Sequence, residues 1–213
     1  AACGAEPRSA ASTAGSKAGP WLSQFMLVGN SNEGATFQPS GGPIADPTFR
    51  GDATRWNPEE LLLAAIIERG NLDGPHLIVA PKTSLDVVWL TEIERWLPDF
   101  PVMVLSGDSP KAEREEILQL VNEFIEEGTG FFLVLNPAFI TYRVVKGADP
   151  VLKNGRLHRP LEASYPELFE HQWNTIVFDE YHKMGLSNNK TNTFAAANDL
   201  KGEHKMLLSG TPM

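Results

Sequence analysis

The sequence holds a single cysteine, Cys3, among 213 residues. Without a partner it excludes an internal disulfide framework and a cysteine-built zinc site, and it fits a reducing compartment. No apolar run approaches the roughly 18 to 20 residues that span a bilayer, and no basic-then-apolar signal segment opens the chain. The first residue is Ala1, so the natural start can lie upstream. Positive charge is scarce: 18 Lys and Arg against 27 Asp and Glu give a formal net charge of -9. That argues against a wholesale electrostatic grip on nucleic acid, while leaving room for a local basic strip. Large apolar side chains are nearly missing from residues 1–20, which are rich in Ala, Gly and Ser. Such a segment cannot bury enough surface to offset the entropy of ordering it. Residues 1–40 therefore read as a disordered or poorly structured arm, with Phe25-Met26-Leu27-Val28 in its one apolar patch.

What is present is a regular alternation from Trp56 onward. Hydrophobic residues make up 42% of the chain, enough at this length for a core that needs no staple. Asn57-Pro58-Glu59-Glu60 reads as a helix start, with Asn57 as cap, Pro58 in the first turn and Glu60 closing a capping box. His76 to Ala80, Val102 to Leu105, Phe131 to Leu135, Ile176 to Phe178 and Lys205 to Leu208 are short apolar runs of strand length. Between them lie helical spacings over 84–96, a long charged helix from Ser109-Pro110, and a helix around 192–200. Residues 145–165 carry Gly, Pro and basic side chains and read as an exposed insertion. Strands that are apolar throughout, alternating with helices, predict an α/β fold: a parallel sheet with helices on both faces. Ligands of such sheets sit beyond the carboxyl ends of the strands.

Two motifs begin at strand ends. In Asp179-Glu180-Tyr181-His182, a carboxylate at a strand tip can hold Mg²⁺ through water, and a second beside it can orient and deprotonate an attacking water. Alone, the tetrapeptide also reads as an acidic turn. Ser209-Gly210-Thr211-Pro212 follows the next apolar strand, and alone it too reads as a turn. In this order, each at a strand end, the two resemble motifs II (D-E-x-H) and III (S/T-G-T-P) of superfamily 2 helicase-like proteins. His76-Leu77-Ile78-Val79-Ala80-Pro81-Lys82-Thr83-Ser84-Leu85, followed by Trp89, Glu92 and Trp96, resembles motif Ia of the Swi/Snf-type chromatin-remodelling ATPases. Phe132 to Asn136 resembles the strand and turn of motif Ib.

The resemblance implies a RecA-like first lobe of P-loop NTPase type over residues 41–213. It implies ATP and Mg²⁺ as cofactors, with Asp179 on the metal, Glu180 activating water, and His182, Ser209 and Thr211 coupling hydrolysis to motion. Pro81, Lys82 and Thr83 would lie along a DNA backbone, in contacts that position without reading bases. Double-stranded DNA or nucleosomes are the implied partners and the nucleus the implied location. The second motor lobe does not follow within the chain. Trp89 and Trp96 read as core packing.

One departure is chemical. Gly41-Gly42-Pro43-Ile44-Ala45-Asp46 matches the opening of the family's phosphate-loop run and makes Gly42 and Asp46 candidate cofactor contacts, yet no Gly-Lys pair occurs anywhere in the chain. Pro58 removes an N–H donor from the helix start that should meet phosphate, and Glu59 and Glu60 put negative charge there. Arg50 and Arg55 are the nearby cations that could replace the lysine. Activity of the chain is accordingly expected to be impaired. A degenerate, non-catalytic DNA- or protein-binding domain of the same ancestry is the alternative, and an unrelated metal-dependent α/β enzyme is a third.

Overall fold

A computed structural model describes residues 25–29, 58–68 and 72–209. In chain order the elements are β1 (Phe25–Gly29), α1 (Pro58–Glu68), β2 (Pro75–Val79) and α2 (Lys82–Ser84). A π-helical segment (Leu85–Leu90) leads into α3 (Thr91–Trp96), β3 (Val102–Leu105), α4 (Lys111–Glu127) and β4 (Phe131–Leu135). After a 3-10 turn (Pro137–Phe139) come four short strands, β5 (Tyr142–Val144), β6 (Val151–Lys153), β7 (Arg156–His158) and β8 (Leu161–Ala163). The described chain closes with α5 (Glu167–Glu170), β9 (Gln172–Phe178), α6 (Asn192–Asp199) and β10 (Lys201–Ser209).

Six strands form one sheet in the order β1-β10-β9-β2-β4-β3, and every pairing in it is parallel. Alternate residues of β2, β3, β4, β9 and β10 feed two separate cores. Leu77, Val79, Leu133, Leu135 and Phe178 pack with Leu118 and Val121 of α4, Leu168 of α5 and Ala197 of α6. Ile78, Val134, Val177 and Leu208 pack on the other face with Leu62, Leu63 and Ile66 of α1 and with Leu85, Trp89 and Ile93. The three-layer architecture expected from the sequence is thus the one observed, because strands buried on both faces need apolar side chains at every position.

Local signals set the element ends. Gly128 ends α4 in the left-handed region at φ 69°, and the Thr129 N–H donates back to the Phe124 carbonyl at 2.8 Å. The Thr191 side chain caps α6 by accepting from the Phe194 N–H at 3.0 Å. Thr191→Ala is expected to cost about 1 kcal/mol in urea denaturation.

Three features depart from the sequence expectations. Within the segment read as an arm, Phe25–Gly29 forms an edge strand running parallel to β10, from Phe25 opposite Lys205 to Gly29 opposite Ser209. A parallel partner far along the chain satisfies backbone groups that local sequence leaves open. The segment 84–96 is interrupted by the π-helical stretch Leu85–Leu90. The insertion contains two antiparallel ribbons, β5–β8 and β6–β7, and Asn154-Gly155 turns the second with φ of 51° and 73°. No helix among the described residues is long and apolar enough to cross a membrane. Gly42, Asp46, Arg50, Arg55, Asn57 and Thr211 lie outside the described residues.

Candidate functional site

The carboxyl ends of β2, β9 and β10 bring four of the candidate residues together. β9 runs out at Phe178, and the Asp179 N–H still donates to the Val79 carbonyl of β2 at 2.9 Å. Asp179 is therefore held at the strand tip by the sheet itself, and only 4% of it is exposed. Its Oδ2 accepts a hydrogen bond from the Trp89 indole Nε1 at 3.1 Å. Burial pushes the Asp179 carboxyl above the usual carboxylate range; the Trp89 bond opposes that shift, the Glu180 charge adds to it, and Lys183 opposes it.

Glu180 takes a left-handed backbone with φ 49°, which costs a non-glycine residue about 1–3 kcal/mol. The surrounding turn over-determines it. The Tyr181 N–H donates to Leu208 of β10 at 3.2 Å, and the Lys183 N–H closes on the Glu180 carbonyl at 2.8 Å. The Glu180 carboxylate lies 3.3 Å from Lys183 Nζ and 3.4 Å from His182 Nδ1. His182 Nδ1 and Ser209 Oγ share a hydrogen bond of 2.9 Å. His182 Nδ1 thus lies between the Glu180 carboxylate and Ser209 Oγ at the end of β10, so Asp179, Glu180, His182 and Ser209 sit together.

The amino end of α1 faces the same group. Glu59 has its carboxyl pushed up, by burial first and then by the charges of Asp179, Glu180 and Glu92, while a backbone hydrogen bond opposes the shift. Glu60 is neutralised elsewhere, by Arg95 at 2.9 Å, and Arg95 also lies 3.6 Å from Glu92. The helix start is acidic and faces acids. Pro81, Lys82 and Thr83 stand at the end of β2, where Lys82 and Thr83 are exposed. Lys82 is ion-paired with Asp108, in the turn after β3.

Asp179 and Glu180 are the adjacent carboxylates at the strand end that would meet a cation there. Among the described residues no cluster of three or more His, Cys, Asp or Glu could do so alone. A magnesium ion needs only one or two carboxylates when phosphate oxygens and water supply the rest. The desolvated Asp179 and the neighbouring Glu180 suit that ion.

The sequence family described as the SNF2-related domain matches residues 20–213. The chain belongs to the SNF2-related domain family. Similar proteins include the ISWI chromatin-remodeling complex ATPase ISW1 of Saccharomyces cerevisiae, 28% identical over 142 residues. That match covers 67% of this chain and 10% of the relative. The ATP-dependent DNA helicase DDM1 of Arabidopsis thaliana is 31% identical over 147 residues, covering 68% of this chain and 16% of DDM1. The SNF2 domain here therefore spans a small part of those relatives' length. Among solved structures, the Sulfolobus solfataricus SWI2/SNF2 ATPase core in complex with dsDNA is similar at 21% identity and a TM-score of 0.47, over 71% of this chain and 24% of that one.

Sequence reasoning treated Trp89 as packing alone. It does pack, at 0% exposure, but its indole N–H needs a partner once buried, and Asp179 supplies it. Its place four residues after Leu85 and four before Ile93, on a stripe facing the strand ends, is the signal that could have found it. Asp108 as the partner of Lys82 had no such signal.

Proposed function

We propose that this SNF2 domain is the ATP-binding lobe of a DNA-dependent, helicase-like ATPase that couples hydrolysis to DNA translocation, with its own phosphate grip impaired. The observation that carries the reading is the buried Asp179, held by Trp89, beside a strained Glu180 that lies 3.4 Å from His182, which is hydrogen-bonded to Ser209 on the next strand. Asp179 would hold Mg²⁺ through water, and Glu180 would orient and deprotonate the attacking water. The bound Mg²⁺ would neutralise charge on the phosphates. His182 and Ser209, with Thr211 next along the chain, would pass the state of the site to β10. Pro81, Lys82 and Thr83 would follow a DNA backbone, and chromatin DNA in the nucleus is the proposed setting. Family membership sets aside an unrelated α/β enzyme.

The impairment rests on two observations. Gly41 to Asp46 lead into no Gly-Lys pair, and Glu59 directs negative charge toward Asp179 and Glu180. The same observations favour a second reading, a non-catalytic DNA- or protein-binding domain of this ancestry. Titration with a fluorescent ADP analogue separates the two. The leading reading expects weak binding that needs Mg²⁺ and disappears in Asp179→Asn. Absence of any Mg²⁺-dependent binding would leave the non-catalytic reading. For DNA, Lys82→Ala is expected to lower affinity evenly across sequences and to reduce the salt slope by about one.

A further inference from the structure

The insertion between β4 and β9 takes no part in the site above, yet it gathers most of the unusual surface. Among the described residues, the large exposed apolar side chains include Val144, Val151, Leu152, Leu157 and Leu161, all within this insertion. Leu152 and Leu157 are 69% and 72% exposed and stand directly opposite one another across β6–β7. Residues opposite each other share a face, so these two make an apolar pair on one side of the ribbon. The other side carries Val151 opposite His158 and Lys153 opposite Arg156.

The ribbon's charge is also out of keeping with the chain. Its two strands and turn hold Lys153 and Arg156 with Arg159 just beyond and no acid, in a protein of net charge -9, whereas Arg143 of the other ribbon stands opposite Glu162. Lys153 and Arg156 face each other across the strands, an arrangement that destabilises an isolated ribbon. An anionic group lying between them relieves that repulsion, and an apolar surface over Leu152 and Leu157 removes them from water. The type of turn suits a rigid display: Asn154 and Gly155 both take positive φ, the geometry that matches strand twist in a tight hairpin.

We propose that the β6–β7 ribbon is a docking element for an acidic protein segment carrying apolar side chains. The two pairs lie on opposite faces, so one occupant meets both only by lying as an extended strand along an edge of this two-stranded sheet, apolar side chains on one face and acidic ones on the other; a phosphate backbone has no such alternation. This proposal stands apart from the nucleotide and DNA reading and does not need it.

The experiment is a heteronuclear NMR titration of the full chain with a short peptide of alternating leucine and glutamate. The expected result is a set of shifts centred on the amides of Val151 to His158, lost in Lys153→Glu/Arg156→Glu and separately lost in Leu152→Ser/Leu157→Ser. Unchanged amide positions outside the ribbon in both double variants report an intact sheet. A peptide of alternating leucine and lysine is expected to leave the ribbon unperturbed. Equal shifts with both peptides, no shifts with the acidic one, or shifts at the ribbon produced by duplex DNA instead would overturn the proposal. So would self-association abolished by Leu152→Ser/Leu157→Ser, which would assign the surface to a second copy.

Discussion

Trp89→Ala is expected to destabilise the domain by about 3–5 kcal/mol, the range for emptying a buried indole site. Trp89 lies among Leu62, Leu63, Ile66, Leu85 and Ile93, fully out of solvent. Packing explains most of that loss. The remainder separates cleanly with Trp89→Phe, which keeps a ring in place but removes the N–H that holds Asp179 Oδ2. A buried acceptor stripped of its donor costs about 1–3 kcal/mol, so the phenylalanine variant should fall in that interval in urea denaturation. Adding Asp179→Asn to Trp89→Phe should cost less than the two single changes summed, because the two groups share one bond. Strict additivity would mean that the indole contributes packing only.

The second large effect concerns Glu59. On the proposed reading its carboxylate would repel a polyphosphate bound beside Asp179 and Glu180, and removing one such charge changes a close pair's interaction by a few kcal/mol at an effective dielectric of ~20. After solvent and counterions take their share, Glu59→Gln is expected to tighten Mg²⁺-nucleotide binding roughly tenfold. Fluorescence titration of an ADP analogue measures it. An unchanged affinity would show that Glu59 does not face the bound phosphates.

The same residue gives a pH dependence with a definite sign. Burial and the neighbouring acids raise the Glu59 carboxyl above its ordinary value of 4.5. The folded state therefore holds this proton more tightly than the unfolded chain. The resulting stability is fully present below the ordinary value and is lost as pH rises through the higher folded value. Thermal unfolding of the wild type should show this loss on the alkaline side of 4.5, and Glu59→Gln should reduce it, leaving the part of the same sign that Asp179 contributes.

These effects mark where sequence reading works and where it stops. Strands β2 and β4 and the last four residues of β9 and β10 were legible because they are buried on both faces and so are written as apolar runs, and the edge strand β3 because all four of its residues are apolar. Asp179 and Ser209 were legible for a related reason: polar residues that abruptly end such runs fall at the carboxyl edge of a parallel sheet. The bond from Trp89 to Asp179 spans 90 residues and crosses from a helix to a strand tip, so no local pattern encodes it. The edge strand Phe25–Gly29 was missed because five residues among Gly, Ser and Asn carry too little periodicity to outweigh their surroundings. In the insertion, three-residue strands are too short for alternation to register, although Asn154-Gly155 is a hairpin signal that composition obscured. The left-handed Glu180 has no sequence signature, since its strain is imposed by β9, β10 and the turn to Lys183 together.

The proposed function joins Asp179 and Glu180, as the carboxylates that would serve hydrolysis, to a weakened phosphate grip. Steady-state ATP hydrolysis by the chain, with Mg²⁺ and duplex DNA present, compared between the wild type and Glu180→Gln, tests it most directly. Poor turnover or none is expected from the wild type, leaving little for Glu180→Gln to remove. Mg²⁺-dependent turnover by the wild type that Glu180→Gln abolishes would contradict it.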